Sequence, residues 1–218
     1  MRLFVFDHCP FCVRALLAVG LKALPVKISY ILEDDIETPT KMIGKQMVPI
    51  LEYEAGKYMP ESLDIVKYLD ANFGEEIFTE AQNPKVVAWI DDHFGRVNEY
   101  VMPRFAEMDF PEFATDSARQ LYITRHEERI GCSFAELLEK SEEYKIVLEQ
   151  ALAILEEFVA LERIQEHQKY SLDDIILFPL LRALTCVKDL TLPSKVQKYT
   201  DLLAARGQVS LFYDTALR

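Results

Sequence analysis

The stretch Asp7-His8-Cys9-Pro10-Phe11-Cys12-Val13 decides how this chain is read. It follows a short apolar run at 3–6 and opens a helical stripe of Val13, Leu16, Leu17, Val19 and Leu21. Pro10 stands where a first helical turn tolerates proline, since its missing N–H would have had no partner there. A Cys-x-x-Cys pair between a strand and a helix start is suited to thiol chemistry. The attacking species is the thiolate, which free N–H groups and the positive end of the helix dipole stabilise. Cys9, at the helix cap, is the expected nucleophile, and Cys12, one turn in, the resolving thiol.

Two other readings of the pair compete. A buried structural pair fits poorly with Pro10 and the strand-to-helix setting. A zinc site needs two more ligands, and Cys132 and Cys186 lie far off without a second Cys-x-x-Cys, so no metal is expected. Those two cysteines read as small hydrophobes in helices. His8 reads as a bystander beside Cys9, and His93, His126 and His167 as solvent-facing.

Working outward, the sequence predicts a helix over 12–24 stopped by Pro25, then a strand at 26–31. Strand, helix, strand implies parallel pairing with a right-handed crossover. A short helix follows around 40–43, a strand at 48–53, a turn at 54–56, a returning strand at 57–59 and a helix at 63–73 capped by Ser62. The order is thus β-α-β-α-β-β-α over residues 1–73. Residues 74–84 lack periodicity and read as a linker. From 85 onward only helices are expected, over 85–104, 115–129, 133–140, 142–163, 173–187 and 194–206. Ser171-Leu172-Asp173-Asp174 resembles a capping box, with Asp in place of Glu.

Two further points suggest ligand contacts. Pro49, within Val48-Pro49, cannot donate to a ladder, so its strand must bend or lie at an edge, and the bond is a candidate for the cis isomer. Val48 is then free to turn its backbone toward a ligand. The helix start at Glu61-Ser62 offers N–H groups and a hydroxyl for a carboxylate, and Glu61 a partner for an ammonium group. An edge-strand proline and a plain N-cap are the alternatives.

The chain has 218 residues, 24 Lys plus Arg against 36 Asp plus Glu, and a formal charge of −12. Its 50% apolar content excludes disorder, and four cysteines are too few for a disulfide-stapled scaffold. The acidity counts against nucleic acid as a partner. Residues 1–75 hold 8 basic and 11 acidic side chains, net −3, and the remainder 16 and 25, net −9. No apolar run approaches the roughly 20 residues of a membrane span, and no secretory leader is visible, so a cytoplasmic protein that does not touch membranes is expected.

Together, Asp7-His8-Cys9-Pro10, Glu37-Thr38-Pro39-Thr40, Val48-Pro49-Ile50-Leu51, Tyr58-Met59-Pro60-Glu61-Ser62, Pro103-Arg104-Phe105 and Leu177-Phe178-Pro179-Leu180-Leu181-Arg182 resemble the glutathione-transferase superfamily, and within it the long bacterial glutaredoxins of the glutaredoxin 2 type. The resemblance implies an α/β thioredoxin-like domain (1–73) joined by the linker (74–84) to an all-α domain (85–218). It implies a monomeric glutathione-dependent disulfide oxidoreductase, with glutathione as co-substrate, no permanently bound cofactor, and glutathionylated or disulfide-containing proteins as partners. Val48 would pair its backbone with the glutathione cysteinyl part beside a cis Pro49, and Glu61 and Ser62 would hold the γ-glutamyl end. Phe11 stands where Tyr is common in glutaredoxins, so the ring remains and the hydroxyl is lost. Rival expectations are a cysteine-type glutathione transferase, a dehydroascorbate reductase, or a non-catalytic binding module on the same scaffold.

Overall fold

A computed structural model describes residues 1–80, 82–167 and 169–218, with nothing described of the His167 side chain. Strand β1 (Arg2–Val5) leads through α1 (Pro10–Leu21) to β2 (Lys27–Tyr30), which pairs with β1 in parallel, Leu3 opposite Ile28. Helix α2 (Glu37–Ile43) connects to β3 (Ile50–Glu54), antiparallel to β1, and β4 (Lys57–Met59) returns against β3. The sheet order is β2-β1-β3-β4, and α3 (Ser62–Asn72) packs beside α1. Leu3, Val5, Cys12, Ala15, Leu51, Ile65 and Leu69 close the core between sheet and helices.

The β-α-β-α-β-β-α order is as the sequence predicts, with shifted borders. α1 ends at Leu21 rather than at Pro25, because Ala23 takes a left-handed conformation (φ 48°) and turns the chain first. β3 is an interior strand, so the edge alternative for its proline fails: Pro49 sits one residue before the ladder begins. Ser62 is the first helical residue of α3 rather than its cap, which is Glu61 at φ 69°.

Inside the segment read as a linker, β5 (Phe78–Thr79) pairs in parallel with β6 (Tyr170–Ser171). Two residues are too few to show a period. Asp70 fixes the approach, accepting from Ile77 N–H (2.9 Å), Phe78 N–H (3.1 Å) and the buried Lys22 ammonium (2.7 Å).

The helices that follow are α4 (Pro84–Glu107), α5 (Asp116–Ile130), α6 (Phe134–Glu139), α7 (Ser141–Glu156), α8 (Leu161–His167), α9 (Leu172–Leu184) and α10 (Ser194–Gly207), with a 3-10 turn at Pro111–Phe113. The single helix expected over 142–163 is two, α7 and α8. Val159 (2% exposed) turns into the core between them, a tertiary demand that no glycine or proline announces. The Asp-type capping box is present. The buried Asp174 carboxylate accepts from Ser171 N–H (2.7 Å), Arg163 (2.6 Å) and Tyr199 Oη–H (2.6 Å), which fixes the start of α9.

The halves meet along α1, which lies on α9 and α10. A Cβ on Gly20 would fall 1.7 Å from the Gly207 carbonyl oxygen, so the two backbones approach as only glycine permits. Val13, Leu17, Ala18 and Val66 belong to the same apolar cluster as the helical core. Among the described residues no helix is long and apolar enough to cross a membrane.

Candidate active site

The turn between β1 and α1 is held from outside its own domain. Arg182, fully buried near the end of α9, donates to the Asp7 carbonyl (2.7 Å), the Asp7 carboxylate (2.9 Å) and the Ser210 carbonyl (2.8 Å), and its guanidinium lies 4.1 Å from the Phe212 ring centre. Glu112, from the 3-10 turn between α4 and α5, accepts from His8 N–H (3.0 Å) and lies 2.7 Å from His8 Nδ1. The two residues before Cys9 are therefore each anchored by the helical half.

Cys9 then caps α1 with extended backbone (φ −71°, ψ 121°), and its carbonyl accepts from Val13 N–H (3.0 Å). Cys9 is half-buried and Cys12 buried, and both are free thiols. The hydrogen bond from Cys12 lowers the Cys9 thiol from an ordinary value of 9.0 to about 7; burial opposes this, while the charge of His8 and the N–H groups of Cys12 and Phe11 assist. Burial, then the bond to Cys9, pushes Cys12 well above the ordinary range. Phe6 N–H donates to Cys12 Sγ at 3.4 Å.

A cleft of about 360 Å³ opens beside Cys9. Pro10, Phe11 and Val48 form one wall, and Phe94, Asn98, Met102 and Arg129 the other. The Phe11 ring, 43% exposed, lies between Phe94 (6.2 Å) and the Arg14 guanidinium (4.7 Å). The Val48–Pro49 bond is cis, with Pro49 buried and Val48 half-buried. Glu61 is exposed and Ser62 buried at the amino end of α3, outside the lining of this cleft. The structure thus brings Cys9, Phe11 and Val48 to one cleft, with Cys12 hydrogen-bonded to Cys9 beneath it, and places Glu61 and Ser62 at the amino end of α3.

The remaining expectations divide. Cys186, fully buried with its thiol pushed up to about 12 by burial, behaves as a small hydrophobe but lies just beyond α9, and Cys132 sits in the turn between α5 and α6 rather than in a helix. His126 is not solvent-facing. Its ring lies 4.2 Å from Tyr122, its Nδ1 is 2.8 Å from the Tyr122 carbonyl, and burial lowers it to about 4. His93 is half-buried against Trp89 (5.0 Å), and the side chain of His167 lies outside the described residues. His8 is no bystander, since its side chain is 9% exposed and paired with Glu112. Nothing in the sequence links positions 8 and 112, so only the fold reveals that pair. Among the described residues no group of three or more His, Cys, Asp or Glu is arranged to hold a metal.

A small mixed sheet with a Cys-x-x-Cys at its first helix, docked on an all-helical half, defines a glutathione-transferase-like fold with a dithiol site. The model of the glutathione S-transferase N-terminal domain matches residues 3–77, and that of the glutaredoxin 2 C-terminal domain residues 85–216. The chain is 38% identical over 217 residues to glutaredoxin 2 of Escherichia coli K12, covering 100% of both. It is 40% identical to glutaredoxin 2 of Salmonella typhimurium, solved in complex with glutathione, with a TM-score of 0.93 over 99% of this chain and 98% of that one. A glutathione transferase of Phanerochaete chrysosporium, 15% identical with a TM-score of 0.70 over 94% of this chain and 96% of its own, shares the fold. The chain belongs to the glutaredoxin 2 family.

Proposed function

We propose that this chain is a glutathione-dependent thiol–disulfide oxidoreductase in which Cys9 is the nucleophile and Cys12 the resolving thiol. One observation carries the assignment of roles: a half-buried thiol at a helix cap, lowered to about 7, above a buried thiol held far higher. The first is the better thiolate at neutral pH and the second the better-protected reserve.

With a protein–glutathione mixed disulfide, Cys9 thiolate attacks the glutathione sulfur. The Cys9–glutathione disulfide forms, the old S–S bond breaks, and the protein thiolate leaves and takes up a proton. A second glutathione thiolate attacks the glutathione sulfur, releasing oxidised glutathione and restoring Cys9. With a protein disulfide, Cys9 forms a mixed disulfide with the substrate, and Cys12 attacks Cys9 Sγ. The reduced dithiol departs and Cys9–Cys12 remains oxidised. Two glutathiones reduce that bond in turn, one bonding to Cys9 and the other leaving with it as oxidised glutathione.

Val48 and cis Pro49 flank the cleft at Cys9 and suit backbone pairing with the cysteinyl part of glutathione. Glu61 and Ser62, at the start of α3, suit the γ-glutamyl end, and Phe11 offers a ring face. Residues 1–73 serve as the redox domain and 85–218 as its helical partner, and one chain supplies every group named here. A free dithiol suits the reducing cytoplasm.

The test is a glutathione-coupled assay on a mixed disulfide and on a protein disulfide. Cys9→Ser loses both activities, and Cys12→Ser keeps the first. Turnover by Cys9→Ser overturns the assignment, while chloro-dinitrobenzene conjugation in place of disulfide reduction selects the transferase reading.

A further inference from the structure

The environment of His8 is built, not incidental. Its ring stacks between Phe6 (5.8 Å) and Phe113 (5.2 Å), with the edge of Tyr122 at 4.9 Å. An imidazole could occupy such an aromatic enclosure as a neutral ring. The partner at Nδ1 says otherwise: the Glu112 side chain is fully buried, and one oxygen takes both the ring nitrogen and the His8 backbone N–H. A carboxylate so placed, with its second oxygen unpartnered, needs a full positive charge nearby to offset burial.

We propose that His8, held as an imidazolium by Glu112 of the helical half, is a fixed cation that works with the Cys12 hydrogen bond to keep Cys9 as thiolate, and that Glu112 is its positioning residue. The proposal deepens the reading of Cys9 as nucleophile and rests on it. His8 precedes Cys9 in the chain, and the two line the same cleft.

The charges around His8 favour this state. Burial disfavours the cation, but the hydrogen bond and charge of Glu112, with the charges of Cys9 and Glu33, outweigh it and raise His8 above 6.5. Burial likewise opposes the Glu112 carboxylate, and the His8 contacts with the Asp7 N–H pull it below its ordinary value. From the segment after β2, Glu33 donates its N–H to the Glu112 carbonyl (3.0 Å), and its carboxylate lies 3.9 Å from Arg125. From α5, Tyr122 stays protonated through burial and His126 stays neutral. Asp7 is occupied by Arg182. The negative groups facing His8 are therefore Glu112, Glu33 and Cys9 itself.

The test follows the rate of Cys9 alkylation by iodoacetamide against pH in the reduced full-length chain, read by mass spectrometry on the Cys9 peptide. Wild type should give a midpoint near 7. Glu112→Gln and His8→Gln should raise it by about one pH unit, slowing alkylation at pH 6.5 about eightfold, with Glu112→Asp near wild type. A purely structural role would lower the melting temperature without moving the midpoint. Should Glu112→Gln not fold, the apolar pair His8→Phe/Glu112→Leu carries the same readout and the same expected rise. An unmoved midpoint in a folded variant overturns the proposal and leaves Cys9 as nucleophile intact. A wild-type midpoint near the ordinary thiol value overturns both.

Discussion

Arg182 and Asp7 lie 175 positions apart in sequence, yet the guanidinium of the first donates to both the carbonyl (2.7 Å) and the carboxylate (2.9 Å) of the second. Asp7 begins the turn that ends at Cys9, so the far end of the helical half sets the approach to the reactive thiol. Replacing Arg182 by Met keeps the bulk and removes every donor. Loss of one partner of a buried pair costs about 3–5 kcal/mol, and the partly exposed Asp7 points to the lower end. Urea denaturation measures the loss, and Cys9 alkylation should slow alongside it.

The Asp174 carboxylate, 1% exposed, answers four donors at the start of α9: the Ser171 N–H and hydroxyl, Arg163 and Tyr199. Asp174→Ala leaves Arg163, Tyr199 and a backbone N–H without their partner. Stability should fall by about 3 kcal/mol or more. Calorimetry should show a melting temperature lower by at least about 6 °C, at about 2–4 °C per kcal/mol for a chain this long.

Two glycines should respond oppositely. At Gly20 a methyl meets the Gly207 backbone at 1.7 Å, so Gly20→Ala must push α1 from α10 and lose about 1–3 kcal/mol or more. At Gly95, in α4, a methyl meets nothing within 4 Å, and Gly95→Ala should stabilise by about 0.5–1 kcal/mol. Paired thermal melts decide both.

The depressed Cys9 thiol also predicts the sign of a stability effect. Its folded value, about 7, lies below the ordinary 9.0, so the stabilisation is fully present above pH 9 and is lost as pH falls through 7. The stability difference between the reduced wild type and Cys9→Ser should therefore grow between pH 7 and 9. Denaturant midpoints at several pH values, each compared with Cys9→Ser, isolate it.

Much of this is legible in the sequence itself. Cys9-Pro10-Phe11-Cys12 carried the strand-to-helix placement because Pro10 and the apolar stripe obey local rules. Ser171 and Asp174 marked the start of α9 for the same reason. What escaped was long-range: the break before α8 answers the burial of Val159, β5 exists only because β6 pairs with it, and His8 acquires meaning from Glu112, 104 residues away. The borders of α1 and α3 moved because single residues, Ala23 and Glu61, adopt positive φ that their side chains do not advertise.

Cys12 is wholly enclosed, with a backbone N–H resting on its sulfur. Such a thiol is screened from oxidants, alkylators and stray disulfides in solution. Among the described residues, Cys9 at the helix cap above it is in hydrogen-bond contact with this sulfur. With the proposed roles, off-pathway adducts would collect on Cys9, within reach of glutathione, and the equivalent beneath would be spent only once Cys9 is engaged.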